Sequence, residues 1–144
     1  MSTGIEFVRP AALHGGVPYA YAAVGDGRTI FTAGACPLDA EGSVVAPGDV
    51  AAQARQVMAN PVAVLEAAGA APTDVVKTTV YVASADRGDL TAAWDVVGQG
   101  FGEHDAPSTL LGVAALGYPG QLVEVEAVAV RPQAPAGDAS TVVA

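Results

Sequence analysis

The chain has 144 residues, 51% of them hydrophobic and 15% charged, with a formal net charge of -9. This length suits one domain with its own core, and no apolar run approaches the roughly 20 residues that span a bilayer. An acidic surface repels phosphate backbones, so neither nucleic acid nor a membrane is expected as a partner. Because Cys36 is the single cysteine, no intrachain disulfide can form, and we expect a cytoplasmic protein.

The first half of the chain predicts two strands and a helix. The strands lie in residues 19–35, on either side of a Gly-Asp-Gly turn. The helix is predicted over residues 46–70, where apolar residues recur at helical spacing, with Asp49 as its N-cap and Gly69 as its stop. Pro61 lies inside this pattern, and we expect it to bend the helix because an interior proline removes a backbone hydrogen bond.

The second half predicts four more elements. In chain order they are a strand, a helix and two strands, at residues 75–84, 89–101, 108–117 and 122–130. Trp94 and Phe101 fall on the apolar stripe of the helix, where we expect both to be core. Residues 1–131 then form a single domain, and residues 132–144 are expected to be a flexible tail.

The last predicted strand, LVEVEAVAV, carries two carboxylates on one of its faces. Side chains alternate across a strand, so Val123 and Val125 share an apolar face while Glu124 and Glu126 lie on the other. Two helices can cover only one face of the predicted ββαβαββ sheet. A carboxylate on an apolar surface needs water, a partner or a ligand. We therefore expect a second copy of the chain to cover the other face, and Glu124 to belong to a site.

Several motifs, taken together and in this order, resemble those of the Rid family, also known as the YjgF family. They are PYAYA (18–22), FTAGACPLDAEG (31–42), VAAQARQVMAN (50–60), VVKTTVYVAS (75–84), LLGVAALG (110–117) and VEVEAVAV (123–130). The resemblance covers roughly residues 15–131. It implies an α+β, chorismate-mutase-like fold: a mixed sheet with two helices on one face. It also implies a homotrimer with a central sheet barrel and clefts between subunits that bind a small-molecule ligand.

The resemblance also implies an activity. The best-studied Rid proteins hydrolyse enamines and imines to keto acids and ammonia, as deaminases that need neither a metal nor an organic cofactor. Carried onto this sequence, their water-orienting glutamate falls on Glu124 and a pocket tyrosine on Tyr19. Their Ser-Gly pair falls on Ala33 and Gly34, which removes a hydroxyl group.

The arginine that grips the substrate carboxylate in those proteins falls on Ser108. A guanidinium binds a carboxylate through two parallel, charge-assisted hydrogen bonds, which a serine cannot make. We therefore expect weak activity on the family's usual carboxylate substrates. Ser108 stays a candidate catalytic residue, and a Ser108–His104 nucleophile–base pair is conceivable, although spacing alone does not establish one.

Three further residues are expected to contact the ligand: Cys36, Thr109 and Leu110. The two histidines and one cysteine show no metal-ligand spacing, so no metal site is predicted. The sequence leaves open whether the chain is an enzyme acting on C–N bonds or a non-catalytic, metabolite-binding trimer of the same fold. A third reading, ribonuclease or translation inhibitor, fits poorly with the acidic charge.

Overall fold

The computed structural model describes residues 4–16 and 19–131. In chain order the elements are β1 (Ile5–Val8), β2 (Ala22–Gly25), β3 (Arg28–Phe31), α1 (Val50–Ala67), β4 (Val75–Val82), α2 (Arg87–Phe101), β5 (Ser108–Gly112) and β6 (Val123–Arg131). The predicted tail, residues 132–144, lies outside the described residues, as does Pro18 of the first motif. No helix in the described ranges is long and apolar enough to cross a membrane.

A four-stranded mixed sheet forms the centre of the fold, in the order β3-β6-β4-β5. Strand β6 runs antiparallel to both of its neighbours, whereas β4 and β5 are parallel and are connected through α2. Both helices pack on one face of this sheet and share a core with β4 and β6. The predicted fold class, α+β with two helices on one face of a mixed sheet, is therefore confirmed.

The two strands predicted in residues 19–35 exist, but they do not pair with each other. Strand β2 pairs with β1, which the sequence did not predict, and β3 pairs with β6. The chain reverses at Gly27, whose φ of 135° favours glycine, and a Cβ atom there would collide with the backbone oxygen of Arg131. Because β6 is long and apolar, it offers β3 a better edge than the four-residue β2 does.

Helix α1 begins and ends as its sequence predicts. The Asp49 carboxylate accepts a hydrogen bond from the Ala52 N–H at 3.0 Å, and Gly69 follows the helix with a φ of 80°. Pro61 lies inside the helix. The strand predicted over residues 108–117 is shorter and ends at Gly112, where the backbone oxygen of Ser84 approaches too closely for a side chain.

The core between the helices and the sheet consists mainly of small and branched apolar residues. Its buried members are Ala54, Val57, Met58, Val80, Val82, Ala93, Val97, Val123 and Val125. Phe101 packs against this core as predicted. The prediction for Trp94 is wrong: it is half-buried and lines a surface cavity, because it lies at the margin of the apolar stripe of α2. The opposite face of the sheet leaves Phe31 77% exposed.

Candidate functional site

Glu124 lies near the start of β6, on the sheet face that the helices do not cover. Its neighbours Val123 and Val125 are buried against the helices, so alternation turns Glu124 to the other face, where it is half-buried. Tyr81 of β4 lies directly opposite Glu124 in the antiparallel register. Glu124 therefore lies on the predicted face of the sheet, the one that the helices leave uncovered.

Three residues fix the position of the Glu124 carboxylate. Its Oε1 atom accepts hydrogen bonds from the Cys36 thiol at 3.3 Å and from the Gln121 side-chain amide at 3.2 Å. Its Oε2 atom lies directly over Gly34, where a Cβ atom would collide with the carboxylate. Glycine at position 34 is thus a steric requirement for this arrangement, and Gly34 and Cys36 assemble with Glu124 as predicted. Ala33 is adjacent to Gly34 and exposed.

Two buried glutamines hold the loop that leads into β6. The side chain of Gln121 is 3% exposed, and its Oε1 atom accepts a hydrogen bond from the Tyr118 N–H at 3.1 Å. Gln53 of α1 is fully buried; it accepts from the Leu122 N–H at 2.7 Å and donates to the Gly120 oxygen at 3.0 Å. Sequence reasoning missed both residues, although a glutamine inside an apolar helical stripe is a signal that such a buried contact exists.

The Cys36 thiol acts as a hydrogen-bond donor in this cluster. Burial raises the pKa of Cys36, and the hydrogen bond to Glu124 and the negative charge of that residue raise it further. The Gln121 amide opposes these effects. The thiol therefore stays protonated at neutral pH and donates a hydrogen bond to Glu124. This environment is the opposite of the one that activates a nucleophilic cysteine.

Glu126, two residues further along the same face, has a different partner. Its Oε1 atom accepts a hydrogen bond from the Tyr81 hydroxyl at 2.5 Å. This hydrogen bond is the main reason that the pKa of Tyr81 is raised. The two carboxylates therefore have different hydrogen-bond partners. Tyr81 lies opposite Glu124 in the strand pairing, but its hydroxyl group donates to Glu126.

The remaining predicted residues form a second group beside α2. Tyr19, Ser108 and Leu110 line an open cavity of about 340 Å³ together with Thr91 and Trp94. The Tyr19 and Trp94 rings meet edge to face, with their centroids 6.2 Å apart. Thr91 and Trp94 are site residues that sequence reasoning missed, because helical spacing places them on α2 without showing what faces them.

Ser108 and His104 do not form a pair in the described structure. The Ser108 hydroxyl donates to the Ala106 oxygen at 3.0 Å and lies 2.5 Å from the Thr78 hydroxyl oxygen. The His104 Nε2 atom lies 2.7 Å from the Val75 oxygen. The pairing of β5 with β4 sets Ser108 beside Thr78, so the nucleophile–base hypothesis drawn from their closeness in sequence has no geometric support.

The sheet separates the two groups of predicted residues. Ser108 and Leu110 are on its helix side, whereas Thr109 is on the other side, where its hydroxyl oxygen accepts from the Lys77 ammonium at 2.6 Å. Within one protomer, Glu124 therefore does not face the cavity that Tyr19 and Ser108 line. In residues 4–16 and 19–131, no group of three or more His, Cys, Asp or Glu residues could hold a metal ion.

The fold and the site together define a small α+β protein with a carboxylate held on the last strand of a helix-backed mixed sheet. Residues 9–131 match the family model described as endoribonuclease L-PSP. The crystal structure of the Rid protein YyfB from Yersinia pestis, described as of unknown function, matches with a TM-score of 0.80 at 34% identity. That match covers 88% of this chain and 98% of that one. The chain belongs to the Rid family, as the motifs had indicated.

Two similar curated proteins are named 2-iminobutanoate/2-iminopropanoate deaminase. The protein from Capra hircus is 39% identical over 122 residues, which are 85% of this chain and 84% of that protein. The protein from Escherichia coli K12 is 39% identical over 109 residues, 73% of this chain and 81% of that protein.

Proposed function

We propose that this protein hydrolyses imines or enamines, as a cofactor-independent deaminase acting at sites shared between protomers of a homotrimer. The observation that carries the proposal is the Glu124 carboxylate, which Cys36 and Gln121 hold against Gly34. The names of the relatives add support, since 2-iminobutanoate and 2-iminopropanoate are imines and their deamination breaks a C–N bond.

Glu124 is proposed to act as the acid–base group. Its carboxylate takes a proton from a water molecule while the water oxygen bonds to the imine carbon, which converts the C=N group into a carbinolamine. The carboxyl group returns this proton to the nitrogen, which completes the carbinolamine, and it then takes the proton of the new hydroxyl group and delivers it to the amino nitrogen. The C–N bond breaks, and a carbonyl compound and ammonia leave. One water is consumed for each ammonia released, and no oxidant or reductant is needed.

The trimer is proposed because one protomer does not bring the two groups of residues together. A neighbouring chain packed on the Glu124 face would present its own Tyr19 and Ser108 cavity to that carboxylate. The same packing would cover Phe31 and Leu111, which are 77% and 42% exposed in the single chain. Thr109 and Ala33 also lie on surfaces that such a neighbour would approach.

The serine at position 108 favours a second candidate, a trimer that binds a metabolite without turning it over. Hydrolysis measurements separate the two. Imines generated in situ from several amino acids and primary amines are offered, and the protein's acceleration of their hydrolysis is measured against trapping by semicarbazide. We expect slow turnover of 2-imino acids and faster turnover of an imine without a carboxylate. Glu124→Gln should abolish turnover, whereas Glu126→Gln, on the same face, should retain it because its amide oxygen still accepts from Tyr81.

The shared site has its own test. Glu124→Gln and Tyr19→Ala protomers are each expected to form inactive homotrimers. When the two are refolded together in equal amounts, one of the three sites in each mixed ring, and so about a quarter of all sites, should combine an intact Glu124 with an intact Tyr19 from the neighbour. Recovery of activity on mixing supports a shared site. Absence of recovery in mixtures shown to contain hybrid trimers contradicts it, and absence of turnover of every imine by the wild type favours the binding-only candidate.

A further inference from the structure

The cavity beside α2 has walls that suit an uncharged aromatic group. Tyr19 and Trp94 meet edge to face and form two of its sides, and Leu110 adds an aliphatic side chain. An apolar cavity of roughly 150 Å³ is enough to hold benzene, so the 340 Å³ here accommodates a ring with a substituent. Edge-to-face contacts with a third ring would add to the burial of its apolar surface.

The cavity offers little to an anion. Within the described part of the chain, none of its lining residues is charged. The Ser108 proton is already donated to the Ala106 oxygen, and the Thr91 hydroxyl donates to the Arg87 oxygen at 3.0 Å. A carboxylate placed against these walls would lose part of its hydration without gaining a cation or either of these hydroxyl protons, which is unfavourable.

Arg9 is a cation that lies close to Tyr19. Arg9 and Tyr19 both line a neighbouring depression. The Arg9 guanidinium is paired with Asp105 at 2.8 Å, with both side chains about half exposed (47% and 45%). Asp105 therefore already neutralises the charge of Arg9, and an anionic ligand could bind Arg9 only by breaking this ion pair.

We propose that the cavity between Tyr19 and Trp94 binds an uncharged aromatic group of the substrate, in place of the carboxylate bound by arginine-bearing relatives. This inference rests on the proposed function in one respect: it takes the bound group to be part of the imine substrate. Substrates of this class are imines or enamines with a phenyl-like substituent and no acid group near the reacting carbon.

Trp94 provides the measurement, because it is the single tryptophan of the chain and forms a wall of the cavity. The full-length protein is titrated with phenylacetamide and phenylacetate, which share a ring and differ in charge, while Trp94 emission is recorded. Butanamide serves as the aliphatic control. We expect saturable binding of phenylacetamide with a Kd at least about tenfold lower than that of phenylacetate, because the charge of phenylacetate would be partly desolvated and unpaired. Butanamide should bind more weakly than phenylacetamide.

Two variants reverse the charge preference if the assignment is right. Ser108→Arg places a guanidinium inside the cavity, and Thr91→Arg places one at its rim, on the exposed surface of α2, where folding tolerates the change. Each should favour phenylacetate over phenylacetamide. Equal or tighter binding of phenylacetate by the wild type overturns the proposal. If Arg9→Gln then abolishes that binding, Arg9 is the group that grips the anion.

The binding and hydrolysis results can fail independently. Binding of phenylacetamide without hydrolysis of any imine leaves the aromatic cavity in place and overturns the proposed function. Hydrolysis of 2-imino acids without saturable phenylacetamide binding supports the proposed function and overturns the aromatic cavity. Preferential hydrolysis of an imine made from phenethylamine over one made from alanine supports both.

Discussion

Replacing Gly34 by alanine perturbs Glu124 directly, without altering any group that contacts it by hydrogen bonding. A Cβ atom at position 34 would lie 2.5 Å from the Cδ atom and 2.8 Å from the Cγ atom of Glu124, closer than non-bonded carbons approach. The carboxylate is the end of a side chain and can move, so we expect it to swing away from Gly34. The backbone of β6 is held in the sheet and should stay in place.

The displaced carboxylate loses its two donors. Gln121 is buried, and leaving its amide without one of its acceptors costs about 1–3 kcal/mol of stability. A displacement of about 1 Å at a reacting group typically reduces the rate on the order of 100-fold. Gly34→Ala should therefore remove most of the activity on the best imine substrate while lowering the free energy of unfolding only modestly.

The Cys36 thiol reports the same displacement without any substrate. Its raised pKa depends partly on the hydrogen bond and charge of Glu124, so moving Glu124 away should lower that pKa and speed alkylation by iodoacetamide at mildly alkaline pH. Gly117→Ala is the matched control, since open space surrounds Gly117. Unchanged turnover together with unchanged alkylation in Gly34→Ala would refute the steric argument.

Three other outcomes follow from the contacts of the site. Burial and Glu124 raise the pKa of Cys36. The protonated thiol therefore contributes fully to stability below the pKa of a thiol in the unfolded chain, and this contribution is lost as pH rises through the pKa of Cys36 in the folded protein. Glu124→Gln should shift the pH profile of Cys36 alkylation to lower pH. Gln53→Ala should lower the free energy of unfolding by about 1–3 kcal/mol in urea titrations, because a buried backbone N–H loses its acceptor. Glu126→Gln should lower the pKa of Tyr81, so that tyrosinate absorbance develops at lower pH.

Each of these outcomes has a control or a contrary result. Arg55 is exposed on the same helix as Gln53, and Arg55→Ala should leave the urea midpoint nearly unchanged. An alkylation profile that Glu124→Gln does not move would mean that burial alone protects the thiol. Tyr81→Phe lacks the Tyr81 hydroxyl, so subtracting its tyrosinate titration from that of the wild type or of Glu126→Gln isolates the titration of Tyr81. A titration of Tyr81 that is unaffected by Glu126→Gln would contradict the assigned cause.

The sequence predicted the elements that depend on local pattern and missed those that depend on distant partners. Helix α1 was predictable because Asp49, Gly69 and the apolar spacing are local signals. The pairing of β3 with β6 was not, since strands of four residues carry too little pattern to choose an edge. The roles of Gln53 and Gln121 were missed for the same reason: their partners are fixed only once the loop before β6 has folded against α1.

The site was predictable residue by residue, but its division between two faces depends on the strand register. Thr78 is opposite Ser108 and Tyr81 is opposite Glu124, and positions 78 and 81 of one regular strand point to opposite faces. The irregularity in β4 lies between Val75 and Lys77, before this stretch, so it does not restore a common face. No rotamer change brings Ser108 and Glu124 together through a sheet. If these residues act on one substrate, the chain can do so only by facing a second copy, and assembly is then a condition of activity and not merely of stability.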